Sequence, residues 1–325
     1  MLLVCVLMGY CAHAQTVGTV IGLPEGLMDG RHEFSGMCVY GDEVFLLQQS
    51  AYHNAGYNGS IYSIGRAQLS AALHKGVAIP EGAVKEYRIV NVEEVKRKTE
   101  VYATYEGFEA IAISNGVVYL TIETTQGPGF IVKGAMHGRD IRIDMEHFYQ
   151  LPLITRNGGH VGNAGYEGLA IMDGKLLVAY EFNYLGGDSA RMYRVDTSLT
   201  GSAVPVALGA VPLRITDITP YGAGKLLAVN FFFHREQAYH LPVGYKDADL
   251  NGWKWNADCF ARILEIGVKG NKATVRTKMV ITKTDCNNWE GIVPFEQGVL
   301  LINDEYLAGG KKGSRMVYVG FGAIR

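Results

Sequence analysis

The stretch "NAGYEGLAIMDGKLLVAYE", from Asn163 to Glu181, holds two short apolar segments separated by an Asp-Gly pair. Apolar segments of strand length on either side of Asp-Gly predict a β-hairpin, because both turn positions tolerate a left-handed backbone. Glutamates stand near both ends of the stretch, at Glu167 and Glu181. We therefore expect a hairpin with two carboxylates at the end away from its turn.

The same hairpin pattern occurs four more times along the chain. The other copies are "FSGMCVYGDEVFLLQQ" (Phe34–Gln49), "FEAIAISNGVVYLTIE" (Phe108–Glu123), "TDITPYGAGKLLAVN" (Thr216–Asn230) and "WEGIVPFEQGVLLINDE" (Trp289–Glu305). They recur every 50 to 75 residues or so, and further short strand patterns follow them, as is typical of four-stranded propeller blades. The sequence thus predicts an all-β, single-domain β-propeller over residues 15–325, with four-stranded antiparallel blades around a central channel.

The number of blades follows from the number of copies. Five copies predict five blades, although the segment Ala71–Arg97 leaves room for a degenerate sixth. We expect the early segment "QTVGTVIGLP" (Gln15–Pro24) to pair with the last blade near "RMVYVGF", which closes the ring and removes two open sheet edges.

The N-terminal segment indicates export. "MLLVCVLMGYCAHAQ" is an apolar run that ends in Ala12-His13-Ala14, which predicts a signal peptide over residues 1–14 and a periplasmic or secreted protein. Lipidation at Cys11 is the alternative, but Tyr10 is a poor residue to precede a lipidated cysteine. No other segment has the length and hydropathy of a membrane span.

Composition and the remaining cysteines add further expectations. A formal net charge of -2, with 48% hydrophobic and 19% charged residues, indicates a globular protein that binds no nucleic acid, and we expect a monomer. Cys38 lies within an apolar strand pattern and is predicted to be a buried thiol. Cys259 and Cys286 lie near predicted loops, where they either pair or stay free.

The polar ends of the five hairpins predict two rings at one mouth of the channel. The two carboxylates of a hairpin are equally many residues away from its turn, so we expect them to lie opposite each other on the two antiparallel strands. The inner ring, the candidate metal ligands, comprises Ser35, Glu109, Glu167, Thr216 or Asp217, and Glu290. The outer ring comprises Gln49, Glu123, Glu181, Asn230 and Asp304. Converging hard oxygen ligands favour Ca²⁺; the alternative is that these groups cap strand ends around a water-filled channel.

These hairpins resemble segments of a known family. "NAGYEGLA" resembles the Asn-x-Gly-x-Glu-Gly-Leu-Ala signature of phytase-like proteins, and three other copies are similar to further segments of that family in order. The resemblance implies an exported propeller that hydrolyses ester or phosphoester bonds, although Gln49 and Asn230 stand where that family often has acidic residues. The inner ring also resembles the calcium-binding series of the five-bladed, calcium-activated nucleotidases (apyrases).

Two longer segments supply further candidates on the same face. "DADLNGWKWNAD" has the spacing of a calcium loop, with Asp247, Asp249, Asn251 and Asp258 as ligands of a second ion; the alternative is a polar Asn-Gly turn. It lies in an insertion, Phe231–Cys259, that also carries His234 and Arg235, candidates for substrate binding. The alternative for the insertion is that its aromatic residues pack it onto the blades.

The expected function is calcium-dependent hydrolysis of a small phosphorylated or ester substrate. Glu123 or Glu181 is expected to activate water, while His160 transfers a proton and Arg156 contacts substrate. The alternative is a non-catalytic propeller that binds a glycan, a peptide or an envelope partner, with calcium as a structural ion.

Overall fold

The computed structural model describes residues 18–28, 32–49, 59–156, 159–160, 164–183, 192–209, 211–232, 260–281, 288–304, 306–308 and 311–322. The chain enters through β1 (Thr19–Ile21) and a 3-10 turn (Glu25–Leu27). Five four-stranded blades follow, and each begins with the strand nearest the channel.

Blade 1 comprises β2 (Phe34–Tyr40), β3 (Glu43–Gln48), β4 (Ser60–Gly65) and β5 (Val84–Ile89). Blade 2 comprises β6 (Thr104–Ser114), β7 (Val117–Thr125), β8 (Phe130–His137) and β9 (Asp140–Gln150). A short hairpin of β10 (Thr155–Arg156) and β11 (Gly159–His160) leads into blade 3. Blade 3 comprises β12 (Gly168–Met172), β13 (Lys175–Ala179), β14 (Met192–Asp196) and β15 (Val204–Val206).

Blade 4 comprises β16 (Arg214–Pro220), β17 (Lys225–Phe232), β18 (Phe260–Lys269) and β19 (Lys272–Ile281). Blade 5 comprises β20 (Trp289–Phe295), β21 (Gly298–Asn303), β24 (Met316–Gly320) and the N-terminal β1. Between β21 and β24 lies a small hairpin of β22 (Tyr306–Ala308) and β23 (Lys311–Gly313).

Strand β1 closes the ring as predicted. It pairs antiparallel with β24, in the register Thr19↔Tyr318 and Ile21↔Met316. The first and last segments of the propeller therefore share one blade, and this pairing covers the edge of β24. Blades 1 and 2 are also joined at their outer edges, where β5 and β9 pair in parallel.

The segment that left room for a sixth blade, Ala71–Arg97, holds helical turns and one strand of blade 1 instead. It contains the second half of α1 (Arg66–Lys75), a 3-10 turn (Glu81–Ala83), β5 and most of α2 (Val92–Thr99). Helix α1 buries Leu69 and Ala72 against the interface of blades 1 and 5. The described residues thus form five blades.

The core is divided among the five interfaces between neighbouring blades. Each interface has its own apolar cluster, and the second strand of a blade serves two of them. In β13, Leu176 and Val178 face blade 2, whereas Leu177 and Ala179 face blade 4. Successive strand residues point to opposite faces, so a strand buried on both faces reads as one continuous apolar run. Within the described residues, no helix is long and apolar enough to span a membrane.

Candidate functional site

β-Bulges mark the inner ring at one mouth of the channel. The strand register slips between Phe34 and Gly36 in β2, between Phe108 and Ile111 in β6, between Ile215 and Asp217 in β16, and between Trp289 and Gly291 in β20. The residues inside these irregularities include Ser35, Glu109, Thr216 and Glu290. A bulge leaves its extra residue out of the ladder and re-aims the side chain. In blade 3, Glu167 directly precedes β12, so all five blades bring an inner-ring residue to the same level.

The prediction that the carboxylates face each other in pairs is wrong by one or two residues. Glu123 lies opposite Gly107, not opposite Glu109. The backbone N–H of Glu181 donates to the carbonyl of Gly165 at 2.9 Å. The reason is that the turns are centred between two residues, for example between Asp173 and Gly174, and not on one residue, and that bulges add residues to the inner strand.

Three carboxylates nevertheless converge. Oxygen atoms of Glu109, Glu123 and Glu167 lie within 4.8 Å of one another. Glu109 is 5% exposed and Glu167 is 7% exposed, and Glu123 is partly buried. Nε2 of Gln49 donates to Oε1 of Glu109 at 2.6 Å. Within the part of the chain that the structure describes, no hydrogen-bond partner reaches Oε2 of Glu167. A buried carboxylate oxygen without a donor needs a proton, a water molecule or a cation.

Two glycines allow the backbone to approach these carboxylates closely. A Cβ atom on Gly165 would lie 3.0 Å from Oε1 of Glu123. A Cβ atom on Gly107 would lie 2.6 Å from Cγ of Gln49 and 3.2 Å from Oε1 of Glu109. Gly165, the first glycine in "NAGYEGLA", thus has a steric role beside the site.

One cation of the site, Arg214, was not predicted. Its guanidinium forms a buried ion pair with Glu181. The neighbouring backbone also pairs, because Ile215 N donates to the carbonyl of Glu181 at 3.0 Å and Phe182 forms a β-bridge with Arg214. Asn230 supports this arrangement, because its amide donates to the carbonyl of Arg214 at 2.7 Å and accepts from Nε of Arg262 at 2.8 Å. An arginine at the start of an apolar strand carries no signal of burial in the sequence, which is why it was missed.

The carboxylates at this mouth form one electrostatic cluster. Burial raises the pKa of Glu109 to about 8, with the Gln49 hydrogen bond opposing the shift and Glu181 and Asp304 adding to it. Burial also raises the pKa of Glu123, Glu167 and Glu290 well above the usual range. Neighbouring carboxylates add to the rise in all three, and Arg214 opposes it. We call the six residues Glu109, Glu123, Glu167, Glu181, Glu290 and Asp304 the acidic cluster. Because like charges at this spacing repel, the cluster favours bound protons or a bound cation at neutral pH.

The other inner-ring residues connect neighbouring blades. The hydroxyl of Ser35 donates to the carbonyl of Phe108 at 2.7 Å, and the hydroxyl of Thr216 donates to the carbonyl of Trp289. Asp217 accepts three backbone bonds from three strands: Oδ2 from Ile292 N at 2.8 Å and Met37 N at 3.4 Å, and Oδ1 from Ile218 N at 2.8 Å. Burial raises the pKa of Asp217. Its two oxygens hold blades 1, 4 and 5 together.

Several sequence-predicted residues lie outside the described part of the chain: residues 1–14, His234, Arg235, Asp247, Asp249, Asn251, Asp258, Cys259 and Cys286. For Arg156 and His160 the structure gives the pairing of β10 with β11 only. The roles of these residues stay predictions. Cys38 is a free, partly buried thiol, and burial and the nearby Asp217 raise its pKa.

Comparisons with known proteins agree on the architecture. No family model matches the chain, and no curated protein matches it. Two solved structures align over 94% of the chain with a TM-score of 0.50. One is a GH43 β-xylosidase/α-arabinofuranosidase from a compost microbial metagenome, in complex with xylotriose and in a calcium-free form, with 10% identity over 95% of its length. The other is a GH43_1 enzyme from Xanthomonas citri complexed with xylose, with 12% identity over 91% of its length.

The fold is that of a five-bladed β-propeller. It is one that GH43 glycoside hydrolases use, and at this level of identity the likeness shows the fold alone. The resemblance to phytase-like proteins and to calcium-activated nucleotidases is wrong, because these structural neighbours are glycoside hydrolases. The quoted segments misled because every blade of a propeller needs similar apolar hairpins with Gly-containing turns.

Proposed function

We propose that the protein is a Ca²⁺-binding hydrolase that cleaves an uncharged glycoside, or a related ester, at the acidic cluster. The observation that carries this proposal is the convergence of Glu109, Glu123 and Glu167 within 4.8 Å. In the fully ionised state their mutual repulsion is opposed by few positive groups, since the cation described beside them, Arg214, is already paired with Glu181. A divalent cation removes this repulsion.

The chemistry of the donors favours calcium. The three residues offer carboxylate oxygens, which are the ligands that Ca²⁺ prefers, and the unpartnered Oε2 of Glu167 is a free acceptor among the described residues. The hydroxyl oxygens of Ser35 and Thr216 donate to carbonyls and keep lone pairs for a ligand role. When bound, such an ion polarises a substrate oxygen.

The remaining carboxylates supply proton transfer. Burial, together with Asp304 beside it, raises the pKa of Glu290 well above its usual value, which favours the protonated form that a general acid needs in order to protonate a leaving group. Glu181 pairs with Arg214 and serves as the base that activates water. Two carboxyl groups in different environments, one protonated and one ionised, are what glycoside hydrolysis uses. In this proposal Glu123, which the sequence predicted to activate water, is a metal ligand. Glu290, which it predicted to bind the metal, is the proton donor.

The charge of the mouth favours an uncharged substrate. Among the described residues, the six carboxylates outnumber the guanidinium groups of Arg214 and Arg262, and a phosphoester would bring further negative charge to this mouth. We therefore propose an uncharged substrate in place of the phosphoester substrate that the sequence predicted. Sugars are consistent with the site, and the two aligned GH43 structures hold xylotriose and xylose.

A substrate panel tests this function. Aryl xylosides, arabinofuranosides and glucosides, carboxyl esters and phosphoesters are each assayed with Ca²⁺ or with a chelator. We expect turnover of a glycoside or an ester that needs Ca²⁺ and is lost in Glu290→Gln and Glu181→Gln. Chelator-insensitive turnover would contradict the proposed role of calcium. Calcium binding without turnover of any substrate would instead support the alternative, in which the ion is structural and the propeller binds a glycan, a peptide or an envelope partner.

A further inference from the structure

The channel has a second opening at the end away from the acidic cluster. There, a cavity of about 440 Å³ is lined by residues from all five inner strands, including Val39, Ala112, Ile171, Pro220 and Pro294. This volume lies within the range of small-molecule sites, roughly 300 to 1,000 Å³. The turns that join the first and second strands of the blades lie at this end, and all five are described. The rim of the cavity is therefore complete in the structure.

Ten of the fourteen described residues that line the cavity have apolar side chains. Its polar members are the Cys38 thiol, the hydroxyls of Ser114 and Thr219, and the guanidinium of Arg66. No acidic side chain is among the described residues that line it. An apolar pocket with a few placed polar groups is the usual form of a site for a small organic molecule, and a single guanidinium selects an anionic group.

Arg66 is held at this cavity by its surroundings. It is the first residue of α1, and its guanidinium lies over the ring of Phe295, 5.1 Å from the centroid. Nη1 donates to the carbonyl of Pro294 at 3.4 Å. A guanidinium has five N–H donors, so this one long bond leaves donors for a ligand. The neighbouring carboxylate of Glu296 already accepts bonds from Ser70 at 2.7 Å and His74 at 2.9 Å.

Asp217 separates this cavity from the acidic cluster. Two of the backbone N–H groups that it binds belong to Met37 and Ile218, and both residues line the cavity. The cavity and the acidic cluster are therefore distinct sites in one channel, and a ligand of the cavity does not need to contact the acidic cluster.

We propose that the cavity binds a small apolar carboxylate, an alkyl or aryl acid, with its hydrocarbon part between the inner strands and its carboxylate on Arg66. Burial of the hydrocarbon part provides the main driving force, and the charge-assisted bonds to Arg66 select the acid over an uncharged analogue. This site does not depend on the proposed hydrolase function.

Calorimetric titration with octanoate and with 1-octanol tests the proposal on the full chain. We expect saturable, one-to-one binding of octanoate, and binding of octanol that is weaker by about tenfold or more, as loss of a charge-assisted hydrogen bond implies. Arg66→Gln should reduce octanoate affinity to that of octanol without changing octanol binding. The matched control Arg88→Gln removes an exposed guanidinium from β5 and should bind both ligands as the wild type does.

A second pair of variants fills the cavity. Ser114→Phe and Val39→Phe each place a ring in the proposed hydrocarbon site, and either one, if folded by circular dichroism, should abolish binding of both ligands. Equal affinity for octanoate and octanol in the wild type would overturn the role of Arg66. The site itself would be overturned if octanoate still bound to the folded Ser114→Phe and Val39→Phe variants. It would also be overturned if the wild type showed no saturable binding. Catalysis need not be measured, so failure here is distinguishable from failure of the hydrolase proposal.

Discussion

Replacing Glu109 by glutamine should stabilise the metal-free protein at alkaline pH. Glu109 is nearly fully buried, and the oxygen that accepts from Gln49 has a counterpart in the glutamine amide, so the substitution keeps this hydrogen bond. What it removes is a charge that the acidic cluster disfavours. The variant should therefore lose the unfavourable ionisation while retaining the shape of the side chain.

The pKa of Glu109 sets the size and the sign of the effect. Burial raises it from 4.5 to about 8, and a shift of this size corresponds to at most roughly 5 kcal/mol. Because the folded protein holds this proton more tightly than the unfolded chain, the contribution of Glu109 to the free energy of unfolding is highest below pH 4.5. It then decreases as the pH rises to about 8. Glu109→Gln has no such group, so its free energy of unfolding should decrease less over the same interval.

Urea unfolding in a chelator at pH 5 and at pH 8 measures this difference. We expect the wild type and Glu109→Gln to be similar at pH 5, and the variant to be more stable by several kcal/mol at pH 8. The control Glu100→Gln removes an exposed carboxylate at the end of α2 and should keep the pH dependence of the wild type. An equal loss of stability in the wild type and in Glu109→Gln would refute the reasoning, since it would show that Glu109 does not titrate in this interval.

Three further substitutions test other parts of the site. Gly165→Ala places a Cβ atom 3.0 Å from Oε1 of Glu123, and the displaced carboxylate should weaken Ca²⁺ binding about tenfold or more; unchanged affinity in calorimetry would contradict the contact. Arg214→Met leaves Glu181 buried without its cation and should cost about 3–5 kcal/mol in urea unfolding, much of which Glu181→Gln in the same chain should restore. Asp217→Ala leaves three backbone N–H groups without an acceptor and should cost about 3 kcal/mol or more. Asp217→Asn keeps one acceptor oxygen and should lose less; equal losses would contradict the bridging role.

The repeated hairpins made the propeller predictable from the sequence. Their apolar segments and left-handed turns, such as Asp173-Gly174, are local features, and five copies of one hairpin pattern along the chain indicate blades. The pairing of Gln15–Pro24 with the last blade followed from the need to cover sheet edges. Helices α1 and α2 were missed because both are short, and α1 buries few residues.

The site was predictable in composition but not in detail. The polar residue at the start of each inner strand is visible in every copy, whereas the β-bulges that re-aim Glu109 and Glu290 depend on pairing with the neighbouring strand and leave no local signature. The ion pair between Arg214 and Glu181 joins residues 33 positions apart in different blades. Contacts of this kind form only when neighbouring blades pack against each other, so no local sequence pattern predicts them.

Calorimetric titration of Ca²⁺ into chelator-treated protein tests the central claim most directly. The wild type, Glu167→Gln and the exposed control Glu100→Gln are compared at pH 7, where the claim places one ion between Glu109, Glu123 and Glu167. We expect a site in the wild type and in the control that is lost in Glu167→Gln, while circular dichroism shows that the variant keeps its fold. Calcium binding of equal affinity and stoichiometry in all three proteins would contradict the claim.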